Sequence, residues 1–246
     1  MTLAARRPVS RNTERFTFTA PEFADFDPLA PDEFFALVIP VPGRALPELP
    51  LVDDDIRAIV AALPDDIRPT VRWYTVRAHR PELSEIDVDI VLHGDSGPAS
   101  RWATHAAIGD QVGFRESSAP YCAPESGRQL FVADETALPA LAAILESSPE
   151  PLDAVVLAEV PGEADIPKIS TSTPIHWFHR GHDNPGTAVL AALPEAVGSQ
   201  LPEFGYAWLC GESALATGAR RWLVGAGMDP EIIMFSGYWR LGQARG

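Results

Sequence analysis

The first half of the chain alternates apolar and polar residues with the period of two that is typical of β-strands. The alternation is clearest at 85–92, where Ile86, Val88 and Ile90 would share one face. We predict strands there and at 14–20, 33–40, 72–77 and 111–115. The acidic run 53–55, followed by spaced apolar residues, predicts a short surface helix. These segments indicate an antiparallel sheet.

The second half has a different rhythm, in which short apolar strands alternate with helical segments. We predict strands at 129–133, 154–158, 175–178, 207–210 and 232–235, and helices at 136–145, 188–196 and 213–225. Such alternation is typical of an α/β domain with a parallel sheet, which binds ligands at the carboxyl ends of its strands. Ser, Pro and Gly accumulate between 117 and 127, so we expect one domain over 1–118 and a second over 119–246.

Charge and composition exclude several classes of protein. The 246 residues carry a formal net charge of −15, which disfavours nucleic acid and anionic lipid as partners. No apolar run is long enough to cross a bilayer, and the N-terminus lacks the apolar core of a signal peptide, so we expect a cytoplasmic protein without membrane insertion. Lys168 is the single lysine, so an anion site would use guanidinium groups and backbone amides.

The strand at 72–77 combines groups that suit a flavin nucleotide. Arg72 could bind a pyrophosphate with two parallel hydrogen bonds, and the Tyr74 ring could pack against the flavin. The Thr75 hydroxyl could form a hydrogen bond near flavin N5. The alternative is an exposed strand with ordinary surface arginines, and the six residues alone do not decide between these interpretations.

Three further segments follow in a defined order: HGDSGPASRWA at 93–103, ADETALPA at 133–140, and Gly211-Glu212 with GYWRLG at 237–242. Together with 72–77 they resemble the siderophore-interacting protein family over nearly the whole chain. The resemblance implies an FAD-dependent, NAD(P)H-linked ferric-siderophore reductase. It also implies a ferredoxin-reductase-like fold, with an FAD-binding antiparallel β-barrel before an NAD(P)-binding α/β domain. The chain departs from the family at two places: residues 116–119 stand where the family usually has a Gly-Pro pair, and Ala133 replaces a glycine.

The motifs assign candidate residues to each part of this site. Predicted flavin contacts are Arg72, Tyr74, Thr75, Val76, Arg77, His93, Gly97, Pro98, Ala99 and Ser100. Predicted dinucleotide contacts are Asp134, Glu135, Thr136, Ala137, Arg180, Gly211 and Glu212, with Tyr238 and Trp239 near the cofactors. Arg240, Arg115 and Arg128 are candidates for the substrate. No protein acid or nucleophile is required, because the cofactors supply the redox chemistry.

Several assignments have simpler alternatives. Ser100 could be only a helix N-cap, and His93 only a strand-end histidine. Cys210 could lie beside the nicotinamide or pack in a core. Tyr238 and Trp239 could pack a domain interface. His176, His179 and His182 do not predict a metal site, because strand geometry separates the first two and no cysteine pair completes a tetrahedral set.

The function also has alternatives. A general flavin reductase, a reductase of a protein acceptor, or a non-catalytic siderophore- or flavin-binding module would share the fold. Iron would be the substrate and not a bound cofactor, and the charge of −15 favours neutral ferric hydroxamates over highly anionic ferric catecholates.

Overall fold

A computed structural model describes residues 1–50, 55–92, 97–122, 124 and 126–243. The chain divides into two units, Met1–Ala119 and Pro120–Gly246, and each is described by itself. His93, the neighbouring positions 94–96, and 53–54 at the start of the predicted helix lie outside the described residues.

The first unit is built from antiparallel strands. They are β1 (Thr2–Pro8), β2 (Thr13–Thr19), β3 (Phe34–Ile39), β4 (Thr70–Thr75), β5 (Ala78–Arg80), β6 (Glu85–Val91) and β7 (Gly113–Ser118), with helices α1 (Ile56–Ala61) and α2 (Pro98–His105). The strands form a sheet of order β1-β2-β6-β5 and a second sheet of order β4-β3-β7. The strands predicted in this half are confirmed, with ends shifted by up to three residues.

The two sheets are joined at both edges. The chain passes from β4 into β5 after two residues, so one run of chain serves both sheets. At the other edge, Leu3 of β1 accepts a hydrogen bond from Gly109 at 2.8 Å and donates one to Asp110 at 2.9 Å, just before β7. The sheets therefore close into the antiparallel barrel implied by the resemblance.

Strand β1 was not predicted, because Leu3 is its single buried apolar side chain. Arg6 explains why an arginine-rich segment is nevertheless a strand. Its guanidinium lies 5.1 Å from the centre of the Phe16 ring and donates a 2.7 Å hydrogen bond to Glu14 on the neighbouring strand. The side chain of Arg6 therefore packs over the Phe16 ring, a position where an apolar residue would otherwise be expected.

The barrel separates apolar and charged residues onto opposite faces of β6. Ile86, Val88 and Ile90 are buried in the core with Phe16 and Phe18. The alternate residues of β6, Asp87 and Asp89, pair with arginines of neighbouring segments on the other face: Arg15, Arg77 and Arg80. These arginines are therefore part of the sheet's own cross-strand pairing.

The second unit is the expected parallel α/β domain. Its strands are β8 (Arg128–Asp134), β9 (Ala154–Val160), β10 (His176–His179), β11 (Phe204–Glu212) and β12 (Ile233–Trp239), in the order β10-β9-β8-β11-β12. Helices α3 (Leu138–Ser147), α4 (Thr187–Val197) and α5 (Ser213–Gly225) cover buried clusters on the sheet. All paired strands are parallel, so their carboxyl ends lie along one edge. Within the described residues, no helix is long and apolar enough to cross a membrane.

Candidate functional site

Arg72 differs from the paired arginines of the barrel. Its strand register places Arg72 opposite Leu37 and Tyr74 opposite Phe35, so Arg72 and Tyr74 share one face of β4. Within the described part of the chain, no carboxylate pairs with Arg72, and its guanidinium donates a 2.8 Å hydrogen bond to the Val71 carbonyl. Burial, and to a smaller degree the charge of Arg57, lower the pKa of Arg72. A half-buried cation without a counter-charge is a suitable anion site.

The residues that follow Arg72 have different environments. Tyr74 packs against the barrel core, and burial raises its pKa to about 12, so the phenol stays protonated at neutral pH. Thr75 is buried at the end of β4. Val76 lies in the core, and its amide donates to the Glu33 carbonyl at 2.8 Å. Arg77 pairs with Asp89 at 3.8 Å. The structure thus gives Val76 and Arg77 structural contacts, while the roles of Arg72, Tyr74 and Thr75 toward a flavin stay predictions.

Helix α2 is the second element of this candidate site. Gly97 is its N-cap residue, with an extended backbone and no side-chain cap, so the alternative that Ser100 caps the helix is wrong. The first hydrogen bond inside the helix runs from the Arg101 amide to the Gly97 carbonyl at 2.9 Å, which leaves the amides of Ala99 and Ser100 without intrahelical acceptors. Helix α2 contacts β4. The Ala99 side chain faces the core and therefore serves packing.

The first unit therefore presents a cation and uncapped helix amides on adjacent elements. A pyrophosphate can accept hydrogen bonds from both kinds of donor. The positive end of the helix dipole, at the start of α2, also favours its negative charge. The described residues fit the anionic part of FAD, with Arg72 and the start of α2 as the groups that would hold it.

In the second unit, Asp134 occupies the end of β8 and is fully buried. Oδ1 accepts hydrogen bonds from the Thr136 amide at 2.9 Å and hydroxyl at 2.6 Å. Oδ2 accepts from the Glu212 amide at 2.7 Å and the Trp239 indole at 2.8 Å. Burial, followed by the charge of Glu135, raises the pKa of Asp134 to about 6. This carboxylate joins the ends of β8, β11 and β12 and has no acceptor position left for a ligand.

Arg180 was expected to contact the dinucleotide, but the structure places it in a buried ion pair. Its guanidinium donates to Glu135 at 2.6 and 2.5 Å, and Glu159 lies 4.0 Å away. The side chains of Arg180 and Glu135 are almost completely shielded from solvent. Direct binding of a phosphate by Arg180 would require this pair to open.

The starts of two helices at the same sheet edge are capped by the protein's own carboxylates. Glu159 accepts hydrogen bonds from the amides of Gly186, Ala188 and Val189 at the start of α4. Glu212 accepts from the amides of Ala214 and Leu215 at the start of α5. Helix α3, which follows Ala137, has no side-chain cap. The predicted segment 134–137 therefore leads into a helix whose start is buried but is not capped by a side chain.

The aromatic tail is held at this edge by its own hydrogen bonds. The Trp239 carbonyl accepts from the Ser213 hydroxyl at 2.8 Å, and the Leu241 amide donates to Glu212 at 3.1 Å. Tyr238 packs against the buried cluster around α3. Trp239 is half-buried, whereas Arg240 is exposed.

Two of the three predicted substrate arginines have other contacts. Arg115 donates to the carbonyls of Leu49 and Pro50 and so holds the loop before α1. Arg128 begins β8 and pairs with Asp153 at 2.8 Å. Arg128 therefore lies at the opposite end of β8 from the edge where parallel sheets bind ligands, and its substrate role stays a prediction without support from its position. Arg240, at the correct end of the sheet, keeps its candidate role.

Other sequence candidates have structural roles. Cys210 is buried in the cluster of α3, and so is Ala133, whose methyl group adds to the core and not to a ligand site. Glu159, which caps α4 at this edge of the sheet, was missed in the sequence. Its sequence signal is a glutamate inside the apolar strand AVVLAEV, because a buried carboxylate requires donors.

Two family models match the chain and divide it between them. Residues 2–121 match the siderophore-interacting FAD-binding domain, and residues 126–242 match the siderophore-interacting protein model. The first match contains Arg72 and α2, and the second contains the carboxylate cluster at the strand ends.

Similar proteins agree with these matches. Ferric vibriobactin reductase ViuB of Vibrio cholerae is 27% identical over 219 residues, which cover 88% of this chain and 79% of that protein. The crystal structure of the siderophore-interacting protein SipS from Aeromonas hydrophila superposes with a TM-score of 0.77 at 30% identity, covering 99% of this chain and 91% of that one. The ferredoxin reductase in carbazole 1,9a-dioxygenase shares the fold, with a TM-score of 0.68 at 15% identity over 97% of this chain and 68% of that one.

Proposed function

The chain belongs to the siderophore-interacting protein family, and from this premise we propose that it transfers electrons from NAD(P)H through FAD to ferric siderophores. FAD would be bound by residues 1–118 and the dinucleotide by residues 119–246. The observation that supports this proposal most strongly is Arg72, a half-buried guanidinium without a carboxylate partner in the described residues, on a strand that contacts the uncapped helix α2.

The roles of the first unit follow from its contacts. Arg72 and the amides of Ala99 and Ser100 would bind the pyrophosphate, because Arg72 pairs with no carboxylate among the described residues and the two amides have no acceptor within the helix. Tyr74 would pack against the flavin with a neutral phenol, since its pKa is raised to about 12. The Thr75 hydroxyl would lie near flavin N5. Neither Val76 nor Arg77 is needed in this arrangement.

The chemistry that FAD supplies is the conversion of a hydride from nicotinamide into single electrons. Ferric iron is the substrate of this reaction. The oxygen ligands of siderophores hold hard Fe(III) more tightly than Fe(II), so reduction promotes release. The protein's task is to hold the cofactor and the dinucleotide, and none of its side chains needs to act as an acid or a nucleophile.

For the second unit we propose that the turn 134–137 and the start of α3 face the dinucleotide. The starts of α4 and α5 already bind Glu159 and Glu212, so their amides are not open to its phosphates. Arg180 would act through Glu135, which it neutralises, and not by direct contact. The net charge at the carboxyl ends of the parallel strands thus depends on the ion pair between Arg180 and Glu135.

The preferred substrate is proposed to be a neutral or weakly charged ferric siderophore of the hydroxamate type. The chain has a net charge of −15, and Arg115 and Arg128 are bound to other groups of the protein. Arg240 can attract an anion only within roughly the Debye length of 8 to 10 Å. At larger distances the net negative charge of the protein would repel a highly anionic ferric catecholate. The kcat/KM for a hydroxamate should vary little with ionic strength, whereas that for a catecholate should rise with added salt. Faster catecholate reduction at low salt would contradict this assignment.

The proposed function is tested by NAD(P)H oxidation and trapping of Fe(II), with purified protein, added FAD and several ferric siderophores. The proposal requires Fe(II) formation that depends on protein, FAD and NAD(P)H together. A general flavin reductase would reduce free flavin rapidly. Fe(II) would then form no faster with the protein than it forms from free reduced flavin alone. Flavin binding without NAD(P)H oxidation would indicate a non-catalytic module.

A further inference from the structure

The candidate residue Asp134 lies among the proposed dinucleotide contacts, but its carboxylate is already saturated. Four donors surround it at 2.6 to 2.9 Å, two on each oxygen. The backbone carbonyl of Asp134 also accepts from the Ala137 amide at 3.0 Å. A ligand could reach this carboxylate only by displacing a buried donor, which would then be left unpaired.

The donors of Asp134 come from the ends of three neighbouring strands. Thr136 follows β8, Glu212 ends β11, and Trp239 ends β12. The approach of β11 is close enough to require a glycine: a Cβ on Gly211, whose φ is +138°, would lie 2.6 Å from the Asp134 carboxyl carbon. The arrangement is therefore built for contact between Asp134 and the neighbouring strands.

The indole of Trp239 depends on this carboxylate for its orientation. An indole has a single N–H donor, and that of Trp239 is directed at Asp134 at 2.8 Å. The backbone of the same segment is fixed separately, by Ser213 on the Trp239 carbonyl and Glu212 on the Leu241 amide. Residues 239–241 thus lie at the strand ends with both their backbone and the aromatic ring held.

We infer that Asp134 is a positioning residue, which orients the Trp239 indole at the dinucleotide site and does not itself contact the dinucleotide. The inference rests on the proposed function, because it assumes that this edge of the sheet binds NAD(P)H. It replaces the expectation that Asp134 is a direct ligand. The solvent-exposed part of the half-buried Trp239 ring then faces the dinucleotide in an orientation that the hydrogen bond to Asp134 sets.

Asparagine at this position separates the two roles. An amide has one acceptor oxygen and an NH₂ group, so Asp134→Asn places its NH₂ opposite either the Thr136 pair or the pair formed by Glu212 and Trp239. Trp239→Phe keeps an aromatic ring and removes only the indole donor. In either orientation the asparagine lacks the negative charge of the carboxylate, so the hydrogen bond to the Trp239 indole is weakened or lost, and both changes act on the same interaction.

The test measures KM and kcat for NAD(P)H with the full chain loaded with FAD, in Asp134→Asn, Trp239→Phe and the double variant. Each single change should raise KM by about tenfold, the effect expected for one hydrogen bond to a charged group, with a smaller effect on kcat. The double variant should be no worse than the worse single variant. If the two effects multiply instead, Asp134 acts independently of Trp239 and the inference is overturned.

A second measurement does not depend on activity. In ¹⁵N-labelled protein, the indole N–H resonance of Trp239 is the one that disappears in Trp239→Phe, and it should shift in Asp134→Asn. An unmoved resonance would overturn the inference. If Asp134→Asn does not fold, an unchanged KM in Trp239→Phe would overturn it equally. A wild-type protein that does not oxidise NAD(P)H would contradict the proposed function itself, whereas an active wild type with multiplying effects contradicts only the role of Asp134.

Discussion

Arg180 and Glu135 form a buried ion pair at the carboxyl ends of the parallel strands, with N–O distances of 2.6 and 2.5 Å. Glu159 lies 4.0 Å from the same guanidinium and caps helix α4. One arginine therefore compensates two buried carboxylates. The energetic consequence is asymmetric, because loss of the cation leaves buried negative charge behind.

Arg180→Ala should destabilise the protein strongly. We expect a loss of about 3 to 5 kcal/mol in the free energy of unfolding, measured by urea denaturation at neutral pH, since Glu135 would be left uncompensated. Arg128→Ala is the matched control, because Arg128 pairs with an exposed Asp153. It should cost about 0 to 1 kcal/mol from the lost ion pair. The double variant Arg180→Ala with Glu135→Ala should recover part of the loss, and equal losses in the two single arginine variants would refute the buried pair.

Asp134 should make stability depend on pH in the direction opposite to an ordinary salt-bridged aspartate. Its pKa is raised in the folded state from 3.8 to about 6, by burial and by Glu135, although its hydrogen bonds oppose the shift. The folded protein therefore binds this proton more tightly than the unfolded chain does. The stabilisation is present below pH 4 and is lost as the pH rises through 6, by about 3 kcal/mol in total.

The comparison of wild type with Asp134→Asn isolates this group from neighbours such as Glu135, Glu212 and Arg180. The wild-type free energy of unfolding minus that of the variant should fall between pH 4 and 6 and stay level above pH 7. A difference that rises over this range would mean that the hydrogen bonds to the carboxylate outweigh its burial.

Gly211 should not tolerate alanine. Its φ of +138° is unfavourable for a side chain, and the added Cβ would contact the Asp134 carboxylate. Gly227→Ala is a control in the same unit, because Gly227 has a φ of +105° and nothing within 4 Å of the added Cβ. We expect both variants to lose about 1 kcal/mol or more from backbone strain, with a larger loss at Gly211. Equal melting temperatures for the two variants would show that the contact with Asp134 costs nothing.

Arg72→Ala should weaken FAD binding by about 10- to 100-fold, since it removes a charge-assisted hydrogen bond to the pyrophosphate. Arg72→Lys should recover only part of the affinity, because an ammonium group lacks the planar fork. The control is Arg44→Ala, which removes the same charge from an exposed pair with Asp66 in the same unit. Flavin fluorescence titration gives the three dissociation constants, and similar values for Arg72→Ala and Arg44→Ala would remove Arg72 from the site.

Local sequence pattern was sufficient for most elements of the fold. Helix α5 was predicted at its observed bounds, since an amphipathic segment there follows the capping residue Glu212. Strand β1 was missed because an arginine-rich strand with Leu3 as its one buried apolar residue has no clear alternation. The short strand β5 was missed for a similar reason, because its three residues AHR are all half-buried.

The candidate site was less predictable, because its contacts join residues that are far apart in sequence. Arg180 lies 45 positions from Glu135, and Trp239 lies 105 positions from Asp134. The sequence indicated that these polar residues end their strands, but not that they would satisfy one another. Arg72 and Tyr74 were easier to place, since their common face follows from the period of two along one strand.

The central claim, that electrons pass from NAD(P)H through FAD to a ferric siderophore, is tested most directly by an anaerobic absorbance titration. Protein with one equivalent of FAD is first bleached at the flavin band by NAD(P)H, and a ferric siderophore is then added while Fe(II) is trapped. We predict that the flavin absorbance returns after about two ferric siderophores per FAD, because a hydride delivers two electrons and each iron accepts one. Flavin that is bleached by NAD(P)H but stays bleached in the presence of ferric siderophores would contradict the account.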